Sequence, residues 1–192
     1  MEAIKLPEDY IEIKNYDFLH NKKLIKNINM VGYGISTILI VSMLFTKPIQ
    51  SLYYNENFIA VIIKPIVLLG GMFLYSILHT VIHTVLFQII SKSQPKPGIE
   101  DNIVFVAIDG YMLKVDYMVA CIAPWLIVSA FYVMLMFVVS EGWFWVIYLL
   151  FVGNLSISII DLFSVWKVLI APRGALIKDS GSKLTIFAKS KN

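Results

Sequence analysis

Strongly polar residues interrupt two long apolar stretches of this chain: His79 and His83 in one, and Asn154, Ser158 and Asp161 in the other. A polar or ionisable group in such a stretch is costly to bury, so each is a functional hypothesis by default. The i,i+4 spacing of His79 and His83 projects both rings from one helix face, where their nitrogens can meet a single ion. Asn154, Ser158 and Asp161, separated by four and three residues, again share one stripe. At 1.5 Å per residue, His83 and Asp161 lie on the order of 12 to 14 Å inside the ends of their helices, so the groups can share a plane. Two imidazoles and one carboxylate make a three-ligand zinc set with a fourth position left for water. The same groups could instead hydrogen-bond to one another and to backbone carbonyls and bind nothing, or line a proton or solute path.

The composition says what must position them. Of 192 residues, 58% are hydrophobic and only 15% charged, against about 25% charged in a soluble domain. With a mean hydropathy of +0.76, an ordinary cytosolic globule is excluded. Ten Gly and seven Pro are too few for a disordered or collagenous chain. The net charge of +3 is too modest to imply a nucleic-acid partner. Cys121 is the single cysteine, so no intrachain disulfide can form.

These features predict an all-α membrane protein, a four-transmembrane-helix bundle decorated by small cytoplasmic β-hairpins. A basic segment over 1–27 precedes a polytopic domain over 28–192, with spans at about 29–45, 65–90, 117–139 and 143–170. The first apolar run has no small-residue cleavage site after it and reads as a retained helix. Lys and Arg concentrate before the first span, between the second and third, and after the fourth, leaving Lys47 and Lys64 on the opposite side. Cations are retained on the cytoplasmic side, so both termini are expected there, in the cell membrane, with Trp143 and Trp145 as outer interfacial anchors. The loop over 91–116 reads as a hairpin turning at Asp109-Gly110, and the tail over 175–188 as a second, turning at Asp179 to Ser182.

The order LHTVIHTVLF, then Pro124 in CIAPWLIV, then NLSISIIDLFSVWKVLIAPRGALIKDSGSKLTIF resembles a bacterial family of multi-pass membrane zincin peptidases otherwise designated a domain of unknown function. That family is similar in layout to intramembrane metallopeptidases of the site-2 protease type. The resemblance runs from about Ile63 to Phe187 and implies His79, His83 and Asp161 as zinc ligands, with Asn154 as a polar neighbour or substrate-orienting group. In two places the chain departs from the family pattern. Thr80 stands where the His-Glu-x-x-His motif has its Glu, and Ile160 replaces the Gly before the Asp. The Glu would take the proton from the attacking water and pass it to the leaving amine, work worth about 10²- to 10⁴-fold in rate.

Thr80 cannot titrate near neutral pH, so metal binding survives the substitution better than catalysis does. The expectation is a zincin-like integral membrane protein that binds zinc and lacks its general base. The alternatives are an active intramembrane metallopeptidase and a non-catalytic membrane binding, regulatory or immunity-like protein. Its partners would be the lipid bilayer and a membrane peptide or protein substrate, with no nucleic acid. His20 reads as a solvated residue. The chain shows no phosphate loop, Ser-His-Asp order or Cys-x-x-Cys pair.

Overall fold

The computed structural model describes residues 5–53, 57–91, 94–100 and 103–190. Apolar runs long enough to saturate their own backbone hydrogen bonds become helices: α1 (Lys22–Leu44), α2 (Phe58–Ser91) and α3 (Lys114–Val138). Each is long and apolar enough to cross a membrane, and α4 (Glu141–Ile157) with α5 (Ile159–Leu169) makes a fourth candidate if that pair is one span. The run expected to be one helix over 143–170 is thus broken, with α4 and α5 bent by 48°. Neither Pro nor Gly marks the break. Ser158 ends α4 at φ −80°, ψ 2°, outside helical values, and its hydroxyl engages the side chain of Tyr75.

The chain divides into two compact units, one comprising Met1–Ile28, Thr80–Pro124 and Ile160–Asn192, the other Asn29–His79 and Trp125–Ile159. In the second unit, Trp145, Tyr148 and Val152 of α4 form an apolar cluster with Leu39, Met43, Met136 and Phe151. Polar tips inside it find partners, as buried groups must. The Tyr148 hydroxyl donates to the Leu39 carbonyl at 2.8 Å, and Trp145 Nε1 to the Pro48 carbonyl at 3.2 Å. Trp145 is therefore buried (1% exposed) in the core and is not an interfacial anchor. Lys64 is buried too, with Nζ donating to the Leu52 carbonyl at 2.6 Å and lying 5.7 Å from the Trp143 ring centre. Close approach explains one glycine: a Cβ on Gly71 would come within 2.9 Å of Leu150 Cδ2.

The first unit holds more β structure than separate hairpins. β1 (Tyr10–Asp17), β4 (Met112–Leu113), β5 (Leu176–Asp179) and β6 (Lys183–Lys189) form an antiparallel sheet in the order β1-β6-β5-β4, and β2 (Lys96–Glu100) pairs with β3 (Ile103–Ala107). The N-terminal segment, merely basic and polar in its sequence, is an edge strand pairing Tyr10 with Lys189 and Asp17 with Lys183. Asp109-Gly110 is a turn, with Gly110 at φ +123°, but the strands it joins do not pair with each other. Ile103–Ala107 pairs backwards onto Lys96–Glu100, and Met112 pairs forwards with Ile177. The turn from Asp179 to Lys183 joins β5 to β6. The last carbonyls of α5, at Leu169, and of Ala171 beyond it accept from Lys114 Nζ at 2.8 Å each, which serves as a cationic C-cap.

Gly181 occupies the left-handed region at φ +79°, and a Cβ there would run into the Phe105 ring. Gly181→Ala is therefore expected to cost about 1–3 kcal/mol through backbone strain and this clash, read as a lower Tm of the detergent-purified protein. A Tm equal to that of the parent would show that the turn tolerates a side chain.

Candidate metal centre

Four residues on α2 recur at four-residue steps: Tyr75, His79, His83 and Phe87. All four are buried, so they form one inward stripe of the helix. The His83 ring lies 5.4 Å from Phe87, which in turn stacks on Tyr117 of α3 at 6.3 Å. Such neighbours restrict ring rotation and keep the imidazole nitrogens pointed one way.

Asp161, in the first turn of α5, is the carboxylate facing His83. Its Oδ2 lies 3.3 Å from His83 Nε2, with His83 about 9% and Asp161 25% exposed in their side chains. Each of His79, His83 and Asp161 offers one ligand atom within 4.8 Å of the others. Around a tetrahedral zinc ion with bonds of about 2.0–2.1 Å, ligand atoms sit about 3.4 Å apart. The His83–Asp161 pair already has that spacing. The donors are nitrogen and carboxylate oxygen, which zinc accepts, and three protein ligands leave a position open. On chemistry and spacing, the residues present fit the ion.

The remaining polar residues of the two stretches do other work. Tyr75, one helical turn before His79, bonds His79 Nδ1 at 2.7 Å and Ser158 Oγ at 2.8 Å. Its hydroxyl is also 3.4 Å from the Asn154 carbonyl, the same carbonyl that accepts the last helical bond of α4, from Ser158 N at 3.1 Å. The Tyr75 hydroxyl thus reaches the backbone where α4 ends and α5 begins. Asn154, fully buried, donates from Nδ2 to Ser129 Oγ at 2.8 Å and to the Trp125 carbonyl at 3.3 Å. Asn154 and Ser158 thus engage Ser129 and Tyr75, and neither is in the three-ligand group. The intermediate exposure of Thr80 places it neither in the core nor in free solvent. Its backbone carbonyl accepts from Thr84 Oγ1 at 2.8 Å.

Tyr75 and Ser129 escape a reading of the sequence because a tyrosine and a serine among apolar neighbours look like packing. For Tyr75 a signal exists: it continues the i,i+4 series of the two histidines. Asp179 stands out in the sequence only as a turn residue. Its Oδ2 accepts from the Tyr117 hydroxyl at 2.7 Å and its Oδ1 from Gly181 N at 2.7 Å. Burial pushes its carboxyl up to about 6, although both hydrogen bonds pull the other way.

Paired histidines one turn apart on α2, grouped with Asp161, are residues that could hold a metal ion, as a zincin-like site would. The chain belongs to the family described as Putative zincin peptidase (DUF3267), whose model matches residues 72–176, more than half of the 192. The match includes His79, His83, Asn154 and Asp161. No curated protein and no solved structure matches the chain.

A carboxyl pushed up to about 6 binds a proton in the folded state that the unfolded state has released between about pH 4 and 6. Asp179 therefore stabilises the fold less as pH rises across that window. In zinc-free protein, the parent is expected to lose stability relative to Asp179→Asn as pH rises from about 4 to about 6.5, read from paired thermal unfolding curves. Parallel pH profiles would show that Asp179 is not the group responsible.

Proposed function

We propose that this chain is a four-span protein of the cell membrane, with both termini cytoplasmic, that binds zinc through His79, His83 and Asp161 and lacks the general base of an active peptidase. The observation that carries the proposal is the convergence of one ligand atom from each of these residues within 4.8 Å. Three helices long and apolar enough to span a bilayer, and a fourth if the bent pair is one span, support the membrane setting. The one-sided distribution of Lys and Arg supports the orientation. Family membership over residues 72–176 supports zinc as the metal.

When bound, zinc supplies Lewis-acid polarisation of a carbonyl and lowers the pKa of water to roughly 7. Whether turnover results depends on the protein's own residues. His79, His83 and Asp161 hold and orient the site. Thr80, at the position of the family's Glu, can donate or accept a hydrogen bond but cannot carry a proton from water to a leaving amine near neutral pH. On this reading the protein retains metal binding and a membrane-embedded peptide as its ligand, with turnover lost.

The purified parent is expected to carry one zinc per chain, and His83→Ala and Asp161→Ala to carry little. A metal-free parent would sink the proposal. Against a panel of transmembrane reporter peptides, Thr80→Glu is expected to gain cleavage by about 10²- to 10⁴-fold over the parent. Cleavage by the parent that Thr80→Glu does not raise, and that Asp161→Ala abolishes, would instead identify an active enzyme with a different base.

A further inference from the structure

A histidine binds zinc through the lone pair of one ring nitrogen, so the proton of the neutral ring must sit on the other. In His79, Nδ1 is 2.7 Å from the Tyr75 hydroxyl oxygen. That leaves Nε2 as the nitrogen for the metal, with Nδ1–H donating to Tyr75. For this to hold, Tyr75 must send its own proton elsewhere, and the structure provides two acceptors. Ser158 Oγ lies at 2.8 Å, and the Asn154 carbonyl, which can only accept, lies at 3.4 Å. Tyr75 is 3% exposed and Ser158 fully buried, so water does not compete for these bonds. The Tyr75 and His79 rings meet edge to face at 5.5 Å, which restrains the imidazole plane.

We propose that Tyr75 is the positioning residue that turns His79 Nε2 toward the metal, and that Ser158, at the break between α4 and α5, holds Tyr75 in place. This rests on zinc binding by His79, His83 and Asp161. It adds a chain of control from the break through Tyr75 to a ligand. Outer partners of ligating histidines are typically worth about 10- to 100-fold in metal affinity.

The test compares the full-length parent, Tyr75→Phe, Ser158→Ala and the double variant in detergent, with zinc affinity by competition and the visible spectrum of the cobalt(II) form as readouts. Tyr75→Phe keeps the ring and removes only the oxygen. It is expected to weaken zinc binding by about 10- to 100-fold and to shift the cobalt bands. Ser158→Ala should weaken it less, and the double variant should bind no more weakly than Tyr75→Phe alone, because Ser158 acts through Tyr75. A purely structural role would give additive losses and an unchanged cobalt spectrum. Parent-like affinity and spectrum in Tyr75→Phe would overturn the inference while leaving zinc binding intact. No zinc in the parent would overturn both. If Tyr75→Phe fails to fold, Ser158→Ala decides: an unchanged spectrum and affinity there overturn the coupling.

Discussion

Polar atoms carried into an apolar helix have no water to fall back on, and leaving one without a partner costs several kcal/mol. That constraint organises the interior of this protein. His83 meets Asp161, His79 meets Tyr75, Tyr75 meets Ser158, and Asn154 meets Ser129 and the Trp125 carbonyl. Each contact joins residues far apart in sequence or one helical turn apart, so satisfying the polar groups also restricts which residues can stand opposite one another. The apolar packing of Trp145, Tyr148 and Val152 adds stability, but it is less directional. A leucine or phenylalanine can slide along a neighbour in a way that a hydrogen-bonded tyrosine cannot.

The same constraint separates binding from catalysis. Holding an ion requires donors at the correct spacing, and the spacing here is set by helix geometry and by the His83–Asp161 contact at 3.3 Å. Moving a proton requires a group that titrates, placed beside the ligands. Thr80, at the position of the family's Glu, has only a hydroxyl, and the buried carboxyl of Asp179 is committed to Tyr117 and Gly181. The ligands and the base of such a site answer to different physical demands, so a change in one does not by itself disturb the other.

The parts legible in the sequence are those specified by local spacing. His79 and His83 announce a shared helix face, and Asp179 to Ser182 announces a turn. Long apolar runs announce helices fit for a bilayer. The illegible parts depend on partners distant in the chain. Tyr10–Asp17 becomes a strand because β6 offers it an edge, and nothing between residues 10 and 17 names that edge. Ile103–Ala107 has two β-rich neighbours to choose from and takes the earlier one. Trp145 looks interfacial from its place near a helix start, yet the Pro48 carbonyl gives its indole N–H a buried partner. The break at Ser158 is invisible in the run because neither Pro nor Gly marks it, and the hydroxyl that meets it belongs to Tyr75 on another helix.

That break changes what the stripe of Asn154, Ser158 and Asp161 means. In one continuous helix the three would face a common direction and serve a common site. Divided at Ser158, the first two lie at the end of α4 and bond Ser129 and Tyr75, while Asp161 opens α5 and turns to His83. A carboxylate in the first turn of a helix is also favoured by the positive end of the helix dipole, and Asp161 stands in the first turn of α5. One polar stripe thus becomes two sets of contacts, one with Ser129 and Tyr75 and one with His83, and Tyr75 touches the break on one side and His79 on the other.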